Sequence, residues 1–278
     1  MEKEPVILFR KGIAETSEHD VASKYFNVYD NRTKIPDNSI VLGRYSVLPF
    51  YKELEEDLEY KNCTLINSYR QHRYIADISN WYLDFEDITP KTWFELNHVP
   101  SNAGPFVLKG ETNSKKFNWK THMFAENKTE ASNVYGRLLQ DSLIGNQRIC
   151  IRQYVPLRAF TKDFSGLPIT EEYRFFILNG KVVSGAFYWA SHEELLQEHK
   201  DINPDNVPRE FLNDIIDRIG KNSNFFVVDI ARTEKPYSTM EKQQEWIVVE
   251  FNDAQSSGLS MCDPNILYRN MKMVINEK

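Results

Sequence analysis

Glu250 and Asn252 stand two residues apart at the end of the apolar run Trp246-Ile-Val-Val-Glu-Phe-Asn252. In a strand, residues i and i+2 leave the same face, so this run sets a carboxylate beside an amide oxygen. Both are hard oxygen donors of the kind that hold magnesium shared with phosphates. The same residues also read as a strand running out into a polar turn at Asn252-Asp253. Asp229 interrupts a second apolar run, Phe225-Phe-Val-Val-Asp-Ile-Ala231. A buried carboxylate without a partner is costly. A metal would satisfy it, and so would an ion pair with Arg232 or a lysine. If the two runs pair antiparallel, only one register brings Asp229 to the acidic end of its neighbour.

Three further groups could meet phosphate or carboxylate oxygens. Glu172 and Arg174 form another i, i+2 pair, and arginine presents a planar fork of donors that matches such oxygens. A surface cross-strand ion pair is the plainer reading. Lys109 ends the strand-like run Phe106-Val-Leu-Lys109, where its ammonium could lie on a phosphate or simply reach out to solvent. Lys115, Lys116 and Lys120 follow in a polar loop with Phe117 and Trp119. Such a loop could fold over a polyphosphate, remain solvated, or contact RNA through its interleaved aromatics.

Several chemistries find no support. The sequence has no GxxxxGK[ST], GxGxxG, HRD, DFG or GxSxG motif, and no HxxxH spacing. Cys63, Cys150 and Cys262 are far apart and lack CxxC spacing, which argues against a zinc site or disulfide scaffold and fits a reducing, cytoplasmic setting. Cys150, mid-strand, reads as core. The net charge of −6 disfavours a general nucleic-acid surface. No apolar run approaches the ~18 residues of a membrane span, and Met1-Glu-Lys-Glu-Pro5 does not read as a secretory signal.

The chain has 278 residues, 41% hydrophobic and 13% aromatic, enough for a core and for one large or two modest domains. Its elements are mixed, which points to an α/β or α+β fold. Strands are expected at 6–9, 40–44, 63–66, 106–110, 148–155, 171–178, 181–188, 225–231 and 246–252. Helices are expected at 21–26, 50–60, 69–81, 129–140 and 208–219, with Gly220 as a stop. Asn179-Gly180 predicts a type I′ hairpin. Ser191-His-Glu-Glu194 reads as a capping box opening a short helix. The polar segment after Ala231 is long for a hairpin loop. The expected units are an N-terminal α/β domain over 1–103, a central subdomain over 104–157 and a C-terminal subdomain over 158–278.

This order of parts resembles the ATP-grasp superfamily, the fold of glutathione synthetase and tubulin–tyrosine ligase, over roughly Asn67 to Pro264. Within it the chain is similar to a divergent phage and bacterial branch that includes the eukaryotic cell-division-cycle protein assisting assembly of a translation initiation factor. The resemblance implies an ATP-grasp fold with a small N-terminal domain and two nucleotide-clasping subdomains. It implies ATP and Mg2+ as cofactors, with Lys109 and the Lys116 loop on the phosphates and Arg152, Gln153, Tyr154 and Val155 as the adenine hinge. Glu172 and Arg174 would serve the nucleotide and the acyl phosphate, with Lys109 and Arg174 as catalytic cations. Asp229, Glu250 and Asn252 would hold the metal. The implied activity is a ligase joining a carboxylate to an amine on a small molecule, peptide or protein. An RNA-end ligase using the same site and a non-catalytic ATP-binding assembly factor are the alternatives. The acceptor is left open, since the N-terminal domain is short and the phosphate loop is poor in glycine.

Overall fold

A computed structural model describes residues 3–10, 16–238 and 243–277. Aliphatic runs near the N-terminus form four short parallel strands, β1 (Glu4–Leu8), β2 (Asn27–Tyr29), β3 (Ser39–Gly43) and β4 (Thr64–Leu65), in the order β2-β1-β3-β4. Parallel neighbours need crossovers; α1 (Thr16–Ala22) and α2 (Tyr51–Glu59) supply two. The helix expected at 21–26 is α1, placed earlier in the chain. Phe26 instead packs against Tyr268, ring centroids 6.3 Å apart. The helix expected over 69–81 is two. α3 (Tyr69–Ala76) opens with a reciprocal Ser68–Gln71 capping box, and α4 (Ile78–Trp81) follows a break at Asp77, which is extended at φ −96° and ψ 118°. The break turns Trp81 inward against Phe251, centroids 4.9 Å apart.

The central sheet is antiparallel: β5 (Thr92–Trp93), β6 (Phe106–Gly110), β7 (Phe124–Ala125) and β8 (Ile149–Gln153), in the order β5-β8-β6-β7. Helix α5 (Lys128–Leu139), capped by Asn127, covers one face. Alternation along β6 buries Phe106 and Leu108 beneath α5 and turns Val107 and Lys109 the other way, into a cavity.

After the hairpin β9 (Ala159–Lys162) and β10 (Pro168–Thr170), the second large antiparallel sheet is built from β11 (Glu172–Leu178) and β12 (Lys181–Phe187), followed by α6 (Leu195–Glu198) and α7 (Arg209–Ile219). Strands β13 (Phe225–Ser238) and β14 (Gln243–Asp253) complete it, in the order β12-β11-β13-β14, and α8 (Pro264–Asn276) ends the chain. Asn179 and Gly180 have φ of 48° and 76°, as the type I′ turn requires. Gly220 ends α7 at φ 49°. The expected capping box at Ser191–Glu194 does not form: the chain already turns at Ala190–His192, and α6 begins after Glu194 without a side-chain cap. The polar segment after Ala231 mostly extends the two strands into a long hairpin, and residues 239–242 of it lie outside the described residues.

Strand alternation divides this sheet. One face sends Tyr173, Phe175, Val228, Val248 and Phe251 into a core shared with α4 and α7. The other sends Phe176, Leu178, Phe225 and Val227 against the N-terminal sheet and α8. Glu172, Arg174 and Asp229 continue this second face by two-residue steps. Among the described residues no helix is long and apolar enough to cross a membrane.

Asn67, fully buried, joins the N-terminal unit to this sheet. Its Oδ1 accepts from the amides of Asn224 (2.9 Å) and Phe225 (3.0 Å), and its Nδ2 donates to Phe225 O (2.7 Å). Each buried group left without a partner costs about 1–3 kcal/mol. Asn67→Ala is therefore expected to lower the urea midpoint by an amount worth about 3 kcal/mol. An unchanged midpoint would show that the junction does not depend on this amide.

Candidate active site

The registers bring the singled-out residues together. Arg174 on β11 lies opposite Asp229 on β13, and Asp229 lies opposite Glu250 on β14, which is the one register that joins the acidic positions. Asp229 pairs with neither Arg232 nor a lysine. Arg174 Nε and Nη2 donate to its two carboxylate oxygens, both at 2.8 Å, and Nη1 donates to Gly258 O at 2.9 Å. The surface reading of Glu172 and Arg174 is overturned, because both are buried. Burial works against the Arg174 charge, but Asp229 more than offsets it and raises the pKa.

Between Asp229/Glu250 and Ile230/Val248 the pairing shifts by one residue, so Val249 is an inserted bulge. The bulge resets the alternation. Ile247 and Val249 line the cavity before it and Glu250 does so after it, while Val248 and Phe251 stay in the core. Arg152 braces this spot: its guanidinium donates to Val249 O (2.5 Å), Thr89 Oγ1 (2.7 Å) and Thr92 Oγ1 (3.3 Å). Arg152 lines the cavity, yet three of its donors are committed to the bulge and its flanks.

Lys109 is buried rather than reaching to solvent. Its Nζ lies 2.9 Å from Glu250 Oε1 across the gap between the two sheets, off hydrogen-bond angle, so its protons are unpaired among the described residues. Burial pushes the Glu250 carboxyl up, but Lys109 and Lys116 overcome this and hold it down at about 2. Asn252 Nδ2 donates to the same Oε1 at 2.9 Å. Lys116 donates to Tyr188 Oη at 2.6 Å and lies 4.1 Å from the centre of that ring. Tyr188 and Trp189 carried no sequence signal beyond their place at the end of a hairpin strand.

These groups rim an apolar cavity of about 130 Å3 between the sheets, walled by Val107, Trp119, Met123, Leu167, Ile247 and Val249. Gln153, Tyr154 and Val155 line it as well. The Gln153 and Tyr154 amides are taken by Lys91 O and Pro105 O, both at 2.8 Å, which leaves Val155 as the hinge amide with no partner among the described residues. Sites for drug-sized ligands span ~300–1,000 Å3, so a whole nucleotide requires the sheets and the Lys116 loop to part. Glu172 also lines the cavity. Its Oε2 accepts from Thr170 Oγ1 at 3.3 Å, and its Oε1 has no partner among the described residues. A second chamber of about 490 Å3 shares Ser114, Lys116 and Glu250 with the first. It adds His72, Arg174, Asn252, Asp253 and the loop at Ser256 to Gly258.

Among the described residues no group of three or more His, Cys, Asp or Glu is set to hold a metal ion. The three expected ligands bring two carboxylates and one amide oxygen, a donor set that suits Mg2+ in chemistry. Asp229 is at present shared with Arg174 and Glu250 with Lys109.

Burial is the largest influence on Glu172; reinforced by Asp229 and Glu250, it pushes the carboxyl up to about 7 against Lys116 and Arg174. An acid whose folded pKa is raised contributes stability at low pH that is lost as pH rises toward the folded value. Glu172→Gln is therefore expected to stabilise the ligand-free protein at pH 8, by on the order of 2 kcal/mol, and to make little difference near pH 4.5. Thermal unfolding at both pH values reads this; an advantage that grew on acidification would contradict it.

Residues 95–271 match a family described as an ATP-grasp domain, family 3 of its clade. No curated protein matches the chain significantly. Among solved structures, the ATP-grasp ligase PsnB complexed with minimal precursor, Mg and ADP superposes with TM-score 0.57 at 8% identity, covering 99% of this chain and 98% of that one. A RimK domain ATP-grasp protein from Sphaerobacter thermophilus gives TM-score 0.56 at 14% identity, covering 95% and 98%. N5-carboxyaminoimidazole synthase from Aspergillus clavatus, in complex with ADP and 5-aminoimidazole ribonucleotide, gives 0.55 at 10%, covering 98% and 77%. At these identities the likeness is one of fold. With the family match spanning more than half of its length, the chain belongs to this ATP-grasp domain family.

Proposed function

We propose that the protein is an ATP- and Mg2+-dependent ligase that activates a carboxylate as an acyl phosphate and passes the acyl group to an amine or similar nucleophile on a small molecule, peptide or protein. The observation that carries this reading is the pair of orphaned groups in one cavity: the Lys109 ammonium and Glu172 Oε1, both buried and unpaired among the described residues. A buried cation without a hydrogen-bond acceptor and a buried acceptor without a donor are costly. A nucleotide repairs both, offering phosphate oxygens to Lys109 and a hydroxyl to Glu172.

The base lies in the apolar cavity with Val155 N as its backbone donor, so that residues 104–157 and 158–278 clasp the nucleotide from two sides. Lys109 and Lys116 then bind the phosphates. Arg174 stands at the junction with the second chamber, where a carboxylate oxygen attacks the γ-phosphorus and the bond to the ADP oxygen breaks. The cations are set in advance where negative charge spreads over the transferring oxygens. Asp229, Glu250 and Asn252 would hold Mg2+, which supplies charge neutralisation at the phosphates. In the acyl phosphate the carbonyl carbon then accepts the nucleophile's electron pair, and the carbon–oxygen bond to phosphate breaks to release inorganic phosphate.

Glu250→Ala is expected to weaken Mg2+-dependent ATP binding at least about tenfold, a loss on the order of 1.4 kcal/mol, as read by calorimetry. Unchanged affinity would remove Glu250 from the site. Labelled ATP incubated with pools of amino acids, peptides or 5′-phosphorylated RNA tests the reaction. ADP release that depends on an amino acid or peptide is expected. AMP release that depends on RNA would make the protein a nucleic-acid-joining enzyme, and tight binding with no turnover would make it an assembly factor.

A further inference from the structure

His72 and Asp253 belong to neither the expected site nor the phosphate chemistry, and His72 lies outside the residues that match the family. His72 sits on α3, fully buried, with Nδ1 2.9 Å from Asp253 Oδ2. Its ring lies flat on Tyr51, centroids 4.1 Å apart and planes 12° apart. Three other donors hold the Asp253 carboxylate: Gln255 N (2.9 Å) and Asn67 Nδ2 (3.2 Å) on Oδ1, and Gln255 Nε2 (3.3 Å) on Oδ2. Gln255 Nε2 also donates to Tyr51 Oη at 2.6 Å. A carboxylate accepts and cannot donate, so the network assigns the proton of a neutral imidazole to Nδ1. The Nε2 lone pair is then the group with which His72 can meet a guest.

Both residues line the second chamber, together with Glu250, Asn252 and the cations Lys116 and Arg174. The chamber is thus divided by charge. Lys116 and Arg174 suit the acyl phosphate, while Asp253 and Glu250 favour a cationic guest. A primary ammonium cannot attack carbon until it has lost a proton, and it loses a second on forming an amide. An imidazole with a fixed tautomer, stacked ring and open Nε2 is suited to accept it.

Resting on the ligase reading above, we propose that His72 is the base that deprotonates a primary amine acceptor in the second chamber, with Asp253 as its positioning residue. The amine nitrogen's electron pair forms the bond to the carbonyl carbon. The carbon–oxygen bond to phosphate breaks with its electrons on the departing phosphate. The nitrogen's proton passes to His72 Nε2, while Nδ1–H stays on Asp253. Formation of the acyl phosphate does not use His72.

The test has two independent readouts. In the wild-type protein labelled with 15N-histidine, His72 is assigned by its proximity to the Tyr51 ring. An Nδ1–H tautomer is expected, with an Nε2 resonance that shifts on titration with methylammonium chloride but not with potassium chloride. An Nε2–H tautomer, or an Nε2 resonance indifferent to methylammonium, overturns the proposal without bearing on ATP binding, which calorimetry reports separately. In the second readout, His72→Gln should keep wild-type Mg-ATP affinity and hydroxylamine-trapped acyl phosphate while losing about 10²–10⁴-fold in amine-dependent ADP release. Equal loss of both activities would make His72 a structural residue, and no loss of amine-dependent release would exclude it as the base.

Discussion

The site depends on mutual neutralisation of buried charge. Arg174 and Asp229 face each other on adjacent strands, and Lys109 reaches from the other sheet to Glu250. Taking such groups out of water costs several kcal/mol per ion, which attraction offsets only when the geometry is good and the remaining hydrogen bonds are made. Arg174 meets that condition, with its fork closed on Asp229 and its last arm on Gly258 O. Lys109 does not, since its Nζ finds a charge but no hydrogen-bond acceptor. One pair is therefore set firmly and the other is left short of a partner, and this asymmetry gives the cavity its chemical direction.

The Val249 bulge makes the two sheets cooperate. Without an inserted residue, one face of β14 could not present Ile247, Val249 and Glu250 together, because strict alternation would return Glu250 to the core side. Arg152 holds the bulged carbonyl from the central sheet, so the strand that bears the carboxylate is fixed by the strand that leads to the hinge. A change at Arg152 would thus reach both the apolar wall and the acidic rim.

The N-terminal unit takes part in the same arrangement. Asn67 ties its last strand to the start of β13, while His72 and Gln255 meet on the Asp253 carboxylate at the end of β14. The second chamber therefore has one wall from this unit and another from the strand that carries Glu250 and Asn252. Parting of the sheets to admit a nucleotide would alter a chamber shared between them.

Local chemistry determined much of this protein. Alternating apolar runs marked β6, β11, β13 and β14. Asn179-Gly180 fixed the β11–β12 hairpin, because positive φ at both positions is cheap for those residues. Polar residues inside apolar runs, Asp229 and Lys109 above all, marked the site because burying them requires a partner. Only the tertiary structure decided who the partners are. Asp229 meets Arg174 rather than Arg232, and Glu172 sits buried with a free oxygen rather than on a surface ion pair. The helix break at Asp77 and the turn at Ala190–His192 also escaped local reading, since a capping or helical pattern yields when packing needs the chain elsewhere. His72 and Asp253 lie 181 residues apart in sequence and carry no shared pattern. Their pairing follows from the stacking of α3 on β14, and spacing along a chain holds no record of distances between elements folded against each other.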